Sequence, residues 1–466
     1  MFFFSKWPIY LNFATCCIKK YIFLLCFILY HYINNMIKIL FKIFTIKIIY
    51  IMENNNYFVI PNMKNHENNN NSVKLSNRKT ICFATMCKNE EHCIKDTLES
   101  VYKYIDTWVV HDTGSTDKTC QIITDFFKEK GIQGELFVDE WKGFDYNKTQ
   151  LFNKCFGRSD YILHLDADDI IHGKLDITKL NDKDAYYMNI RRVFNGIKSN
   201  DGYKCLIFWN NKLHWKFCGV RHTTIKCIDK PNFSHGYDLI DNNIYICSRD
   251  KGSRANDKKK YYNDAQELTK QFFNTLYNDP DELNSRSVFY TAQSYLDQTF
   301  TTEDNYAVEA LQWYNLYLKL KNTWIEEEYE AHLRIARLLI YLNKPVEDIK
   351  QIIDKAITIF PDRAEAYFIL GKHCNYIPQY EIAYNYLKKA FQKNYNDVKN
   401  KYLLFLAEDN YGKYVLDELS LACFWTKRYE EGKKYLEKII NDPIFQKHKS
   451  RLLKNMEYFN TKLIQN

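Results

Sequence analysis

The chain has 466 residues, enough for two or three domains with hydrophobic cores of their own. Its net charge is +8, but residues 1–52 contain six lysines and no acidic residue, so the rest of the chain is near neutral and does not indicate a basic face for nucleic acid. The 14 cysteines are scattered without a C-x-x-C pair, which disfavours a zinc-finger type of site and favours free, buried thiols.

The N-terminus carries two apolar runs, "YIFLLCFILYHYI" (21–33) and "IKILFKIFTIKIIYIM" (37–52). The first is shorter than the roughly 20 residues that span a bilayer. The second has a lysine about once per helical turn, as a helix lying on a membrane surface does. Residues 1–52 are therefore interpreted as a membrane anchor or membrane-surface segment. The alternative is a targeting or extended-start segment, because Met52 opens an ordinary soluble sequence. The protein is membrane-associated if this segment is retained and cytoplasmic if it is not.

Residues 53–79 are polar, rich in Asn and low in complexity, which predicts a disordered linker.

Strands and helices alternate from Thr80 onward. The predicted strands are "TICFATM" (80–86), "TWVVHD" (107–112), "GELFVDEW" (134–141) and "YILHL" (161–165), and the helices between them are "EEHCIKDTLESVYKY", "GSTDKTCQIITDFFKEKG" and "NKTQLFNKCFG". We expect Ser/Thr capping at the start of the second helix and an end near Gly131. This alternation predicts a parallel α/β sheet.

Polar motifs follow three of these strands. "CKNEE" follows the first, "DTGSTD" the second and "DADD" the fourth. Ligands of such sheets bind beyond the carboxyl ends of the strands, so the three motifs are expected to meet at one rim.

After about Asn256 the pattern becomes helical, with an internal repeat of about 34 residues. Repeats that begin at Glu330 and Ala364 align Ala356 with Ala390. The second repeat has the small and bulky packing residues of a tetratricopeptide repeat, namely Tyr367, Leu370, Gly371, Ala383, Leu387 and Ala390. Further copies at 289–298 and 419–439 bring the number to four, above the minimum of about three that stacked hairpins need. Ordinary amphipathic helices are the alternative.

The "DADD" motif suggests a cation site. On an extended backbone, Asp166 and Asp168 point to the same side, and carboxylates packed this closely repel one another unless a cation is near. Mg²⁺ and Mn²⁺ prefer carboxylate oxygens and accept phosphate oxygens as further ligands. The motif therefore predicts a grip for a metal diphosphate, and an ordinary acidic turn is the alternative.

Two other motifs fit a nucleotide ligand. Asp112 is placed to accept hydrogen bonds from a ribose or a base, and "TGST" supplies a helix start whose amides are expected to be unpaired. Lys148 adds a positive charge for phosphates. The absence of a G-x-G-x-x-G or P-loop motif from the sequence counts against dinucleotide binding and ATP hydrolysis.

Taken in order, "TMCKNEE", "VVHDTGSTDKT", "EWKGFDYNKTQLF", "LHLDADD" and "FCGVRHTTI…SHGY" resemble the family 2 glycosyltransferases of the GT-A fold. The closest resemblance is to the subgroup in which "FYxAQSY" and tetratricopeptide helices follow the catalytic domain. It covers about 80–440. It implies an α/β GT-A domain, Rossmann-like and nucleotide-sugar-binding, at 80–255, and an all-α tetratricopeptide-like domain at 256–466.

The resemblance also assigns the donor site. It implies that Asn89, Glu90 and Asp112 line the nucleoside pocket of a nucleotide-sugar donor, with a UDP-sugar foremost. Where relatives read "F-S-x-A-R-N", this chain has Lys148 for Arg and Thr149 for Asn. Lysine is a point charge without the bidentate fork of arginine, so donor contacts here are expected to be weaker.

The same resemblance assigns the cofactor, Mn²⁺ or Mg²⁺. Asp168 holds the ion, Asp166 faces the ribose or the diphosphate and joins the metal site, and His235 of "SHGY" faces the metal and the diphosphate. Such an ion stabilises the charge that builds on the leaving diphosphate.

The general base departs from the family pattern. Relatives often read "G-x-I-H-E", whereas this chain has Thr223 in place of the carboxylate. His222 is the candidate base, with Asp238 behind it, and a structural role is the alternative for both.

These features predict a metal-dependent, inverting glycosyltransferase that acts on a glycan or protein acceptor, with a repeat tail that binds the acceptor or a protein partner. One alternative is a catalytically degenerate domain that serves as a repeat scaffold. The other is sugar nucleotidyl transfer, which usually needs a Gly-rich basic loop where this chain has "CKNEE".

Overall fold

The computed structural model describes residues 78–194, 197–241, 243–249, 251–252, 254, 257–278 and 285–465. The N-terminal segment 1–52, and all but the last two residues of the predicted linker 53–79, lie outside the described residues. The membrane-anchor interpretation of residues 1–52 and its alternative, a targeting or extended-start segment, therefore both stay predictions.

The first part of the described chain is a sheet with helices on both faces. Its strands are β1 (Ile81–Cys87), β2 (Thr107–Asp112), β3 (Gly134–Val138), β4 (Tyr161–His164), β5 (Ile170–His172), β6 (Ala185–Phe194), β7 (Ile197–Asn210), β8 (Trp215–Cys218), β9 (Thr224–Cys227), β10 (His235–Gly236) and β11 (Tyr245–Arg249). The helices between the early strands are α1 (Ile94–Val101), α2 (Thr119–Lys130) and α3 (Phe144–Cys155). The described strands of the main sheet run in the order β3-β2-β1-β4-β7-β6-β11-β5, β10 pairs with β6, and β8 and β9 form a separate hairpin.

Strand β1 shows why this sheet is covered on both sides. Ile81 and Phe83 pack with α1 and α2, whereas Cys82 and Ala84, which point the other way, pack with α3. All four side chains are fully buried. A strand buried on both faces reads as a continuous apolar run, as "ICFA" does.

The sheet is mixed, not wholly parallel. Strands β1 to β4 pair in parallel, as predicted. The long β6–β7 hairpin then enters beside β4 with β7 antiparallel, and β5 pairs antiparallel with β11. The third and fourth strands also end earlier than expected, at Val138 and His164.

The start of α2 differs from the prediction. Asp117, not a serine or threonine, accepts a hydrogen bond from the amide of Thr119 at 3.0 Å, which satisfies one of the free amides of the first turn. At the other end, Gly131 adopts a left-handed φ of 68° and ends the helix as predicted.

The second part of the described chain is helical. Its helices are α4 (Lys260–Asn278), α5 (Ser285–Thr301), α6 (Ala307–Tyr317), α7 (Ile325–Tyr341), α8 (Val346–Ile359), α9 (Glu365–Tyr376), α10 (Tyr380–Phe391), α11 (Tyr395–Val398), α12 (Lys413–Trp425), α13 (Tyr429–Ile439) and α14 (Lys449–Gln465). Neighbours in the chain pack as hairpins, including α7 with α8, α9 with α10 and α12 with α13.

Small residues allow these hairpins to close. A Cβ atom on Gly371 would lie 2.6 Å from Cγ of Leu387, so only glycine lets α9 approach α10 this closely. Ala356 and Ala390, which the repeat aligned, are both fully buried on the second helices of successive hairpins. The tetratricopeptide-like architecture is therefore confirmed.

The helical part is joined to the sheet by charged contacts. Arg221 pairs with Asp264 of α4, and Arg286 of α5 donates to the carbonyl oxygen of His222 at 3.2 Å. The last strand ends at Arg249 and α4 begins at Lys260, and the domain boundary at 255 stays a prediction. Every cysteine in the described ranges is a free thiol, as predicted. None of the described helices is both long enough and apolar enough to cross a bilayer.

Candidate functional site

The loops after β1 and β2 are bound to each other. Asn89, whose φ is 57°, receives a hydrogen bond on its side-chain oxygen from the amide of Thr116 at 2.8 Å. Its own amide donates to Oγ of Ser115 at 2.9 Å, and the amide of Glu90 donates to Oγ1 of Thr119 at 2.8 Å. Two of the three polar motifs therefore meet at one rim, as expected.

Asp112 lies beneath this junction and is only 1% exposed. Its carboxylate accepts from the amides of Gly114 at 2.9 Å and Ser115 at 2.8 Å, and from the hydroxyl of Ser115. The expectation of unpaired amides in "TGST" is thus wrong, because Asp112 and Asn89 already bind those of residues 114–116. Both side chains fix the shape of the loop, and their contact with a nucleoside stays a prediction.

The "DADD" segment is a turn. Strand β4 ends at His164, and the amide of Asp169 donates to the carbonyl oxygen of Asp166 at 3.1 Å. The expectation that Asp166 and Asp168 project to one side of an extended backbone is therefore wrong. Asp166 faces Lys148, whose Nζ lies 3.3 Å from its Oδ1, whereas Oδ2 of Asp168 accepts from the amides of Gly252 at 2.9 Å and Lys251 at 3.3 Å.

Arg249 joins the "DADD" turn to the loop after β1 and to the start of α1. Its guanidinium donates to the carbonyl oxygen of Asp168 at 2.6 Å, to the carboxylate of Asp96 at 2.6 Å and to the carbonyl oxygen of Cys93 at 3.4 Å. A further bond, from the hydroxyl of Thr97 to the carbonyl oxygen of Ala167 at 2.8 Å, joins the turn to α1. The third motif thus joins the other two. Arg249 was missed by sequence reasoning, because its role depends on β11 entering the sheet.

The three carboxylates differ in their charge balance. The ammonium of Lys148 lowers the pKa of Asp166, which is 65% exposed. Burial, and then the nearby charge of Asp166, raises the pKa of Asp168. Burial also raises the pKa of Asp169 well above its usual range. Within the part of the chain that the structure describes, Asp166 alone of the three has a cation paired with its carboxylate, and a further positive charge near the carboxylate of Asp168 would relieve the repulsion.

The residues at this rim fit a divalent cation. Oδ1 of Asp168 accepts no hydrogen bond from any described residue, and Asp166 is open to solvent. Magnesium-type sites with phosphate ligands need only one or two carboxylates from the protein. Asp166 and Asp168 can supply these, with phosphate oxygens and water completing the shell.

His164, which sequence reasoning also missed, lies below this pair. Its ring packs against Phe152 and Phe217, and its Nε2 is buried without a hydrogen-bond partner among the described residues. Burial, and then the nearby charge of Lys148, lower its pKa to about 3, so the ring is neutral. A polar residue in the apolar "YILHL" run was the available signal.

His222, the candidate base, lies against the helical part. Its ring stacks on Tyr290 of α5 at a centroid distance of 3.9 Å, and its backbone is left-handed with φ 48°. Desolvation and the charge of Arg286 lower its pKa to about 4, so the imidazole is neutral at physiological pH. Asp238 is exposed after β10, and no contact joins it to His222 among the described residues. The catalytic roles of both residues stay predictions.

His235 lies away from the aspartates. Strand β10 pairs His235 with Ala185 at the start of β6, and Ala185 is level with Ile162, early in β4. Asp166 follows four residues later, about 13 Å along the strand direction at roughly 3.3 Å per residue. The ring of His235 contacts Tyr187, Phe233 and Tyr237. The structure does not bring it to the predicted metal site.

Comparisons with known proteins bear on this geometry. Residues 82–221 match the family model described as "Glycosyl transferase family 2". No curated protein sequence matches the chain.

Several solved structures are similar to parts of the chain. The structure of TarS 1-349 from S. aureus in complex with UDP-GlcNAc is 15% identical, with a TM-score of 0.29, and the match covers 61% of this chain and 90% of that one. GalNAc-T7 with UDP, GalNAc and Mn²⁺ is 17% identical, with a TM-score of 0.22, and the match covers 25% and 24%. A tetratricopeptide repeat protein from Parabacteroides merdae is 16% identical, with a TM-score of 0.31, and the match covers 45% and 72%. Similarities of this size carry no argument about function.

The family match covers the segment that holds Asn89, Asp112, Lys148 and the "DADD" turn. It confirms the resemblance that the motifs gave to the family 2 glycosyltransferases. The sheet and the helical hairpins described above agree with a GT-A type of α/β domain followed by tetratricopeptide-like helices. Residues 82–221 are a glycosyl transferase family 2 domain.

Proposed function

We propose that the chain is a metal-dependent, inverting glycosyltransferase that moves a sugar from a nucleotide diphosphate donor, with a UDP-sugar as the first candidate, to a glycan or protein acceptor. The observation that carries the proposal is the meeting of three loops at one rim inside the matched segment. There Lys148, Asp166 and Asp168 lie beside the loop that Asn89 and Asp112 fix.

In this proposal Asp168 and Asp166 hold Mn²⁺ or Mg²⁺. When bound, the ion supplies Lewis-acid stabilisation of the charge that develops on the leaving diphosphate. Lys148 adds a fixed positive charge on the same side, and its amine can move from Asp166 to a phosphate oxygen. Arg249 keeps the turn in place so that the two carboxylates do not have to reorganise when the donor binds.

The acceptor hydroxyl must lose a proton on the face of the sugar opposite the leaving group. His222 has the unprotonated imidazole that a base requires, although a pKa of about 4 makes it a weak one. The stacking of His222 on Tyr290 of α5 supports a base on the side of the helical part. The acceptor therefore enters between the sheet and the tetratricopeptide-like helices in this proposal. The repeats would bind the acceptor or a partner protein, and residues 1–52, where retained, would attach the chain to a membrane surface.

A scaffold without catalysis is the second candidate. It is favoured by Thr223, which replaces the expected carboxylate, and by the ring of Tyr290 that covers one face of His222. In that case the domain binds a nucleotide sugar or nothing, and the repeats carry the function.

The test is release of nucleoside diphosphate by the full chain from a panel of nucleotide sugars, with Mn²⁺, with Mg²⁺ and with a chelator. We expect turnover only with a metal ion, and a loss of at least about 100-fold in Asp168→Asn, since a charge-stabilising group is removed. The matched control is Asp125→Asn, an exposed carboxylate on α2 whose partner is Gln121. Donor binding without turnover would favour the scaffold, and release of pyrophosphate from a nucleoside triphosphate and a sugar phosphate would favour a nucleotidyltransferase.

A further inference from the structure

Three metal-binding side chains of different chemistry converge in the turn before α1. Oε2 of Glu90 lies 3.2 Å from Sγ of Cys93 and 3.9 Å from Nε2 of His92. The three ligand atoms all lie within 4.8 Å of one another. Glu90 and Cys93 are buried, whereas the side chain of His92 is half exposed, so the cluster is open to solvent on one side only.

These separations are close to those of a bound zinc ion. Zinc bonds of about 2.0–2.3 Å in a tetrahedral arrangement place neighbouring ligand atoms about 3.3–3.7 Å apart. A small rotation of the half-exposed His92 side chain brings the third ligand into that range. Thiolate and imidazole ligands select borderline or soft ions, whereas an all-carboxylate site such as Asp166 and Asp168 selects Mg²⁺ or Mn²⁺.

The backbone of the loop at 251–252 supports the same position. The ring of His92 donates a hydrogen bond from Nε2 to the carbonyl oxygen of Lys251 at 2.5 Å, which holds the ring at the cluster. The amides of Lys251 and Gly252 bind Asp168 from the same loop. The cluster is thus anchored independently of any ion, by a loop that also holds the predicted Mg²⁺ or Mn²⁺ ligand.

We propose that Glu90, His92 and Cys93 form a second cation site, for Zn²⁺ or a similar borderline-soft divalent ion, separate from the site at Asp166 and Asp168. On binding, the thiol of Cys93 loses its proton to solvent as the metal–sulfur bond forms. The hydrogen bond from this thiol to Glu90 is replaced by a metal–carboxylate bond. His92 gives up its hydrogen bond to the carbonyl oxygen of Lys251 and binds as the neutral ring through Nε2, with the ring proton moved to Nδ1. One proton is released per ion from the thiol, and no electron is transferred.

Occupancy of this site would oppose donor binding. Glu90 belongs to the predicted nucleoside pocket. Loss of the contact between His92 and the carbonyl oxygen of Lys251 would also shift the 251–252 loop, whose amides bind Asp168. This consequence rests on the proposed function, whereas the binding itself does not. The ion is therefore expected to act as an inhibitor that competes with the donor, not as the catalytic cofactor.

The experiment measures metal content in the full chain. The protein is stripped with a chelator and dialysed against buffered free Zn²⁺, and bound zinc is counted for wild type, His92→Ala and Cys93→Ala. Matched controls are His214→Ala, an exposed histidine paired with Asp229, and Cys218→Ala on β8. Because the chain has 14 cysteines, the difference between variants is the result, not the absolute count.

We expect wild type and both controls to hold one zinc ion more than Cys93→Ala, and His92→Ala to bind that ion at least about 10-fold more weakly. With Co²⁺ in place of zinc, the thiolate-to-metal absorption band should disappear in Cys93→Ala and remain in Cys218→Ala. Equal metal content and equal Co²⁺ spectra in all five proteins would overturn the proposal. Because His92 is half exposed, its variant is expected to fold normally even if Cys93→Ala does not.

Zinc inhibition gives a separate readout. If the donor is turned over, zinc should inhibit wild type and leave His92→Ala at least about 10-fold less sensitive. Failure of all turnover would contradict the proposed function and leave the metal count as the deciding test of this site.

Discussion

Replacing Arg249 by lysine should loosen the "DADD" turn without removing its positive charge. The guanidinium joins three acceptors, the carbonyl oxygens of Asp168 and Cys93 and the carboxylate of Asp96, and its side chain is only 10% exposed. A lysine ammonium can reach one of these acceptors at a time. The other groups then lose their charged partner.

The expected loss of stability of the turn follows from how deeply the acceptors of Arg249 are buried. Loss of a hydrogen bond to a poorly solvated carbonyl costs about 1–3 kcal/mol. The carboxylate of Asp96 is 57% exposed, so its ion pair adds little, about 0–1 kcal/mol. We therefore expect the free energy of local opening of the turn to fall by about 1–3 kcal/mol, which is about 5- to 150-fold more opening.

Hydrogen exchange at the amides of Lys251 and Gly252 reports this directly, because both donate to Asp168. Their protection should fall by that factor in Arg249→Lys, and turnover of the donor should fall with it. The matched control is Arg158→Lys, whose arginine pairs with Glu135 at the surface far along the chain from β11. Unchanged exchange at both amides in Arg249→Lys would refute the view that Arg249 positions Asp168.

Three further changes test other parts of the structure. Gly371→Ala should lower the free energy of unfolding by about 1–3 kcal/mol, because the new Cβ would lie 2.6 Å from Leu387. In a double-mutant cycle measured by urea denaturation, the same Gly371→Ala change should be nearly neutral when Leu387 is also replaced by alanine. His164→Phe should flatten the pH dependence of the free energy of unfolding. In the unfolded chain the histidine gains a proton below about pH 6.5, whereas the buried ring of the folded protein stays neutral down to about pH 3, so the wild type loses stability as the pH falls through that window. An equal dependence of the unfolding free energy on pH in both proteins would contradict this. Lys148→Ala should raise the donor KM by about 10- to 100-fold through loss of a charged contact to phosphate, and Lys148→Arg should restore it, whereas an unchanged KM would mean that Lys148 only partners Asp166.

The order of strands and motifs could be predicted because local patterns determine it. "ICFA" and "WVV" are buried runs, and the motifs that follow them meet because parallel strands end on the same side. The tetratricopeptide-like helices could also be predicted from the sequence, because Gly371 and the repeated alanines are needed where two helices pack closely.

The features that could not be predicted from the sequence depend on pairing between segments that are distant in the chain. The antiparallel β6–β7 hairpin brings β11 into the sheet, and only then does Arg249 lie over Asp168, which is 81 residues earlier in the chain. The direction of each carboxylate was also hidden, because two residues in a D-x-D motif align only on extended backbone, and this backbone turns after His164. The same holds for His222, whose partner Tyr290 comes from a helix in the other half of the described chain.

The contact between Tyr290 and His222 divides the proposed chemistry between two parts of one polypeptide. In the proposed function, the loops that follow the strands would bind the leaving group, and a helix of the repeat part, through Tyr290, lies against the group that would receive a proton. Catalytic groups must be held in a fixed geometry for transfer to be fast, so the packing of α5 against the sheet would bear on the proposed reaction even though α5 supplies none of the proposed donor-binding residues. A fragment cut off before α5 would therefore keep Lys148 and the aspartates but lose the aromatic ring that lies against His222.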